Sequence, residues 1–122
     1  MELSAVRIFV NDLPAAAKFY EDIVGLPLVN NSSPDFVIFG EKPIILLELA
    51  GDDPEDRDLV GRFTGLSFAT DDAGALHAEL ARKGVPTHGA PERQSWGGTL
   101  LHADDPSGNT ITFVEMPARA AG

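Results

Sequence analysis

The chain has 122 residues, of which 43% are hydrophobic and 23% are charged, a composition typical of one globular domain rather than a disordered segment. It contains no cysteine, which excludes disulfides and thiolate metal sites. Its 19 acidic and 9 basic residues give a formal net charge of −10, which disfavours nucleic acid as a partner because phosphates would be repelled.

No apolar stretch reaches the roughly 18 residues of a membrane-spanning helix, and the first residues lack the basic and apolar regions of a signal peptide. We therefore expect a cytoplasmic protein with no membrane partner. The negative charge favours a cationic or weakly basic ligand, although an acidic surface also serves simply to keep a protein soluble.

The first part of the chain predicts a strand, a helix and three further strands. Residues 3–10 alternate in polarity and are rich in β-formers. Asp12 is a typical helix N-cap, and Gly25 is a typical helix end. Three strands are predicted after this helix, at 26–30, 36–39 and 44–50.

The second part repeats this order after an acidic, structureless linker. A strand at 63–70 precedes a helix that begins after Asp72 and ends at Gly84. Three strands are again predicted, at 85–88, 94–103 and 109–116. The two N-caps lie 60 residues apart (72 − 12) and the two helix ends 59 apart (84 − 25), which indicates a duplication.

These elements predict an α+β fold of two tandem βαβββ modules in a single domain. Module one spans 1–50, the linker 51–62 and module two 63–117, and the tail after it is expected to fray. The sheets should curl around a cleft and carry their helices on the outer faces.

Alternate residues of a strand face opposite sides, so each strand divides into a helix-facing and a cleft-facing set. The cleft-facing residues are predicted to bind a ligand, and they are Arg7, Phe9, Leu46, Glu48, Ser67, Trp96, Gly98, Leu100, His102 and Thr112. For the strand at 36–39 the loop length leaves two alternatives, in which either Val37 and Phe39 or Phe36 and Ile38 face the cleft. Phe39 is included among the candidate ligand-binding residues.

Two segments resemble the vicinal oxygen chelate (glyoxalase / bleomycin-resistance protein / extradiol dioxygenase) superfamily. Residues 10–28, VNDLPAAAKFYEDIVGLPL, are similar to its opening strand and helix. Residues 96–98, WGG, followed by 105–111, DPSGNTI, are similar to its closing hairpin. The resemblance implies paired βαβββ modules, usually in a homodimer with two ligand clefts.

The resemblance also implies where a metal would be bound. Metal-dependent members place a His or Gln on the first strand of each module, seven residues before the helix-capping acid, and a carboxylate on the last strand. These positions correspond to Ala5, Gly65, Glu48 and Thr112, of which only Glu48 is a good ligand. A catalytic metal normally has three protein ligands, so we expect no metal and no cofactor.

The favoured function is therefore binding and sequestration of a small aromatic or cationic antibiotic, a metal-free type of self-resistance. Trp96 and Phe9 would stack on the ligand, and Arg7 and Glu48 would form either a structural ion pair or a polar anchor. Two alternatives stay open. One is a metal-dependent glyoxalase- or dioxygenase-type lyase or oxidoreductase, and the other is a metal-free enzyme that uses Glu48 or His102 as base.

Overall fold

The computed structural model describes residues 1–117, so the tail predicted to fray lies outside the described residues. Twelve elements follow one another: β1 (Ala5–Val10), α1 (Leu13–Lys18), a π-helical segment (Phe19–Val24), β2 (Leu28–Asn30), β3 (Phe36–Phe39), β4 (Ile44–Leu49), α2 (Pro54–Arg57), β5 (Phe63–Ala69), α3 (Ala73–Arg82), β6 (Glu92–Arg93), β7 (Thr99–Asp104) and β8 (Thr110–Glu115). Within this described part, no helix is both long and apolar enough to cross a membrane.

The predicted α+β fold of two βαβββ-like modules is confirmed, and each module contains a mixed four-stranded sheet. The chain divides into two compact units. Unit 1 contains Met1–Arg62 together with Pro106–Asn109, and unit 2 contains Phe63–Asp105 and residues 110–117 of the described chain. The β7–β8 turn therefore belongs to unit 1.

The sheet of unit 1 has the strand order β1-β4-β3-β2. β1 runs parallel to β4, whereas β3 is antiparallel to both β4 and β2. Alternating apolar residues bury one face of this sheet against the first helix. The largest fully buried side chains of this core are Val10, Tyr20, Phe39 and Leu47.

The first helix begins and ends where the sequence predicts. The Asp12 carboxylate accepts a hydrogen bond from the Ala15 backbone N–H at 3.1 Å, as an N-cap does. Gly25 ends the helix in the left-handed conformation, with φ of 82°.

Unit 2 repeats the arrangement with the strand order β5-β8-β7-β6. The Asp72 carboxylate caps α3 by accepting from the Ala75 N–H at 2.9 Å. The core of unit 2 is formed by apolar residues of α3, β7 and β8, chiefly Leu80, Leu101, Ala103, Ile111 and Phe113.

Two predicted strands of unit 2 are wrong. The strand expected at 85–88 is reduced to one bridge between Thr87 and Ala103, and β6 lies instead at Glu92–Arg93. The strand expected at 94–103 begins only at Thr99, because residues 94–98 form a turn in which the Gln94 N–H donates to the Gly98 carbonyl at 2.7 Å.

The linker is also more ordered than the sequence indicates. Residues 54–57 form the short helix α2, which Pro54 begins at a position that tolerates proline. The Asp56 carboxylate accepts from the Gly51 N–H at 2.8 Å. One side chain of the acidic run at 52–58, that of Asp56, thus fixes the backbone at Gly51.

Candidate functional site

The face of each sheet opposite its helix, here called the open face, carries most of the predicted ligand-binding residues. In unit 1 the register pairs Arg7 with Leu46 and Phe9 with Glu48. These four side chains therefore lie side by side, because they occupy adjacent positions on two neighbouring strands. Whether they contact a ligand stays a prediction.

Arg7 and Glu48 form the predicted ion pair in a two-pronged arrangement. Arg7 Nε donates to Glu48 Oε2 at 2.6 Å, and Nη2 donates to Oε1 at 3.1 Å. The pair is not buried, since the Arg7 side chain is 59% exposed and that of Glu48 is 24% exposed. The hydrogen bond and the charge of Glu48 raise the pKa of Arg7, so the guanidinium is charged at every working pH.

The same guanidinium lies over an aromatic ring. The Arg7 Cζ atom is 5.1 Å from the centre of the Phe9 ring, within the range of a cation–π contact. Phe9 and Glu48 together therefore surround a cation with one aromatic face and one carboxylate. An adjacent apolar surface is provided by Leu46 and by two half-buried residues of β3, Phe36 and Ile38, which pair with Glu48 and Leu46 respectively.

Phe39 does not belong to this face, and its inclusion as a candidate ligand-binding residue is wrong. It pairs with Ile45 and is 0% exposed within the core against the first helix. Phe39 pairs with Ile45, and the number of residues between these two partners, five, is odd. The odd number places Phe36 and Ile38 on the open face instead.

The open face of unit 2 carries a row of polar side chains. Ser67 on β5 pairs with Thr112 on β8, and Thr112 pairs with His102 on β7. His102 Nδ1 lies 2.8 Å from Thr112 Oγ1, a hydrogen bond whose donor depends on the histidine tautomer. Leu100 lies on the same face, two residues from His102, and the Phe63 ring meets the His102 ring edge-on at 5.8 Å.

Trp96 and Gly98 are not strand residues, so the alternation that placed them on this face does not apply. Both lie in the turn between β6 and β7, and Trp96 is 52% exposed. A Cβ atom built on Gly98 would overlap the six-membered ring of Trp96. The indole therefore fills the space directly above Gly98.

A small cavity of about 140 Å³ lies beside the polar row and is lined by His88, Ala90, Glu92, Gln94, Leu100 and His102. His88 Nε2 is 2.6 Å from Asp104 Oδ1, which also accepts from the Thr110 hydroxyl at 2.8 Å. The sequence did not reveal this chain of contacts, because His88 precedes Asp104 by 16 residues in an irregular loop.

Two of the four expected metal-ligand positions, Glu48 and Thr112, lie on the open faces. Glu48 pairs with Phe9 on β1, and Thr112 pairs with Ser67 on β5. Both side chains already have a partner, because Glu48 is bonded to Arg7 and Thr112 to His102.

The residues present do not fit a catalytic metal. The corner positions, which we define as Ala5, Glu48, Gly65 and Thr112, offer one carboxylate and one hydroxyl. The carboxylate is bonded to Arg7, and the hydroxyl is hydrogen-bonded to His102. Among residues 1–117, no three His, Asp or Glu side chains are grouped so that they could hold a metal ion.

The backbone at Gly65 adds a second obstacle to a ligand there. Phe63 pairs with Thr110 and Ser67 with Thr112, so β5 contains two extra residues and its register shifts around Gly65. Gly65 has φ of +77°, a conformation that residues with a Cβ rarely adopt. An isolated glycine in a predicted strand is a sequence signal for such a distortion.

Sequence reasoning missed the residues that anchor the β7–β8 turn within unit 1. Asn109 is 1% exposed, its Oδ1 accepts from the N–H groups of Gly61 and Arg62, and its Nδ2 donates to the Phe9 carbonyl at 2.8 Å. Ser107 Oγ accepts from the Asn11 N–H and donates to Asn11 Oδ1. The turn motif was visible in the sequence, but its distant partners were not.

Comparison with known proteins agrees with this architecture. Residues 2–113 match the model of the Glyoxalase/Bleomycin resistance protein/Dioxygenase superfamily. An uncharacterized protein of Bacillus subtilis (strain 168), YraH, is 30% identical over 129 residues, covering 95% of this chain and 99% of its own length.

Solved structures show the same fold. A superfamily member from Sphaerobacter thermophilus DSM 20745 matches with a TM-score of 0.78 at 28% identity, over 95% of this chain and 98% of the other. A lactoylglutathione lyase from Agrobacterium tumefaciens matches with a TM-score of 0.70 at 22% identity, over 92% and 91%, which shows the fold alone. The chain belongs to the Glyoxalase/Bleomycin resistance protein/Dioxygenase superfamily.

Proposed function

We propose that this chain binds and sequesters a small aromatic, cationic natural product of the antibiotic class, without metal chemistry. The observation that carries the proposal is the content of the corner positions. Ala5 and Gly65 supply no ligand atom, Thr112 supplies only a hydroxyl that is already paired, and Glu48 supplies a single carboxylate that is bonded to Arg7. A pocket with so few ligand atoms can hold a guest but has little means of polarising it through an ion.

The cluster on the open face of unit 1 supplies the affinity. Glu48 and Phe9 hold a guanidinium with a carboxylate and an aromatic face, which is how proteins recognise cations. Because Arg7 is largely exposed, its side chain can leave at little cost, and the cation of a ligand can take its place. The net charge of −10 attracts such a ligand.

In unit 2 the proposed contacts are Trp96, Ser67, Leu100 and His102, which offer an exposed indole, two polar groups and an apolar surface. A cytoplasmic location belongs to the same proposal, since antibiotic self-resistance acts inside the producing cell. We also propose that the protein is a homodimer. Glu48 is then the anchor for the ligand, and its contact with Arg7 is one that the ligand replaces.

The first test is a fluorescence titration of Trp96, the sole tryptophan, with bleomycin and a natural-product library. We expect a micromolar cationic aromatic binder whose affinity falls about tenfold or more in Glu48→Gln, because a charge-assisted contact is lost. Arg7→Ala should bind it equally or more tightly, and Glu79→Gln, which removes an acid from α3, should leave affinity unchanged.

Several outcomes would contradict the proposal. One is a library without a micromolar binder, together with cells that gain no protection on expressing the protein. Another is loss of binding in Arg7→Ala with retention in Glu48→Gln, which would indicate an anionic ligand.

Mass spectrometry of the ligand after incubation separates sequestration from catalysis. Sequestration predicts an unchanged mass, whether or not a chelator is added. A changed mass that is lost in Glu48→Gln or His102→Ala would favour a metal-free enzyme with that residue as base. A change that depends on added metal would favour the lyase or oxidoreductase alternative.

A further inference from the structure

A cavity in unit 1 lies at the carboxyl ends of two neighbouring parallel strands. β1 ends at Val10 and β4 ends at Leu49, and the residues that follow each strand line a cavity of about 440 Å³. Crevices beyond the carboxyl ends of parallel strands are common ligand sites, and small-molecule pockets range over roughly 300–1,000 Å³.

The cavity is lined by both charge signs. Arg57 of α2 and Asp52 of the preceding loop contribute one cation and one anion. Within residues 1–117 neither side chain forms an ion pair or a side-chain hydrogen bond. They therefore leave two opposite charges available to one ligand.

A neutral donor completes the set. Asn11 Oδ1 accepts from the Ser107 hydroxyl at 3.0 Å, and the Asn11 N–H donates to the same hydroxyl at 3.0 Å. This network orients the amide, so that Nδ2 presents two N–H donors that have no partner in the described part of the chain. Asn11 and Arg57 together suit a carboxylate.

The backbone of the lining is held in place rather than loose. The Ala50 N–H donates to the Val10 carbonyl at 2.8 Å, and the Gly51 N–H donates to Asp56 Oδ2 at 2.8 Å. A Cβ on Gly51 would lie 2.7 Å from that oxygen, so a side chain at this position would require Asp56 to move. Asp56 is thereby committed to the backbone, and Asp52 remains for the ligand.

We propose that this cavity binds a small zwitterion of the α-amino-acid type, with its carboxylate on Arg57 and Asn11 and its ammonium on Asp52. A simple anion is disfavoured because residues 52–58 contain five acids and one base. A simple cation would leave the donors of Arg57 and Asn11 unpaired. Only a molecule with both charges satisfies the lining.

The test is amide NMR of the full chain with a pool of the twenty standard α-amino acids. We expect shift changes at Asn11, Gly51 and Asp52, and then one amino acid that reproduces them. Its carboxamide and its N-acetyl derivative, which each lack one charge, should bind about tenfold more weakly or worse, as expected for loss of a charged hydrogen bond.

Variants of the lining provide the second part of the test. Arg57→Gln and Asp52→Asn should each weaken binding about tenfold, whereas Arg62→Gln, which removes a guanidinium outside the cavity, should change it less than about twofold. Three results would overturn the proposal: no shift of these amides at about 10 mM pool, equal binding of either singly charged derivative, or equal weakening by Arg57→Gln and Arg62→Gln. The amide spectrum of each variant reports its fold.

Discussion

The two open faces differ more than the two helix-facing cores. The helix-facing sides of both sheets are apolar and buried, and each adjoining helix is capped by an aspartate that bonds the backbone N–H three residues on. The open face of unit 1 carries an exposed ion pair over an aromatic ring, whereas that of unit 2 carries a polar row of Ser67, Thr112 and His102. The two units therefore share their apolar cores and helix caps, whereas the residues on their open faces differ.

The strands that border these faces differ as well. β1 follows β4 in uninterrupted register, but β5 shifts register against β8 around Gly65. The same corner position is therefore an ordinary strand residue at Ala5 and a left-handed glycine in unit 2.

Replacing Phe39 with Ala should cause the largest loss of stability. The side chain is fully buried in the core of unit 1, and such truncations cost about 3–5 kcal/mol. Phe36→Ala, on the half-buried open face of the same strand, should cost less than about 2 kcal/mol and should alter ligand affinity instead. Urea unfolding measures both variants, and similar losses for the two would contradict the assignment of faces on β3.

Asn109→Ala should follow, because three backbone groups lose their partner at a buried position. Each unpaired buried polar group costs about 1–3 kcal/mol, so we expect a total of about 2–4 kcal/mol after some entry of water. Asn31→Ala, an exposed control, should stay within about 0.5 kcal/mol of the parent. Chemical denaturation of both variants decides, and a loss below about 1 kcal/mol for Asn109→Ala would show that the β7–β8 turn anchors unit 1 only weakly.

Gly65→Ala tests the strained position of unit 2. A Cβ meets no neighbour there, so its effect should come from the left-handed backbone alone, about 1–2 kcal/mol destabilising. Gly74→Ala in α3 is the matched control and should stabilise by roughly 0.5 kcal/mol, since alanine favours helix and only an ordinary contact is made. If both substitutions raise the thermal midpoint, the backbone of β5 differs from that described.

The smallest effect on stability is expected for the Arg7–Glu48 pair. Because Arg7 is exposed, a double-mutant cycle with Arg7→Ala and Glu48→Ala should show no resolvable coupling in the free energy of unfolding. In the ligand titration, Glu48→Ala should weaken binding, whereas Arg7→Ala should leave the affinity unchanged or raise it. A large coupling in unfolding with no effect on affinity would make the pair structural.

Much of the fold could be predicted because helix ends and strand faces are determined by residues that are close in sequence. Asp12 and Asp72 begin the helices, and Gly25 ends the first. Alternation of apolar residues then assigned most strand faces, including the side-by-side placement of Arg7 and Glu48. These features depend on neighbours in sequence, and their physical causes act over a few residues.

The remaining errors come from register and from distant contacts. The face of Phe39 depended on the parity of one loop, and a shift of one residue inverts a strand. Trp96 was misplaced because a turn interrupts what reads as one strand. The role of Asn109 depends on partners about 50 and 100 residues away in the sequence.

The most direct test of metal-free binding is the metal content of the protein after equilibrium dialysis against nickel, zinc, iron or manganese, measured by elemental analysis. The corner residues predict fewer than about 0.1 equivalents of any of these ions per chain, since a catalytic site needs about three protein ligands. One tightly held ion per chain, lost together with ligand binding on treatment with a chelator, would contradict it.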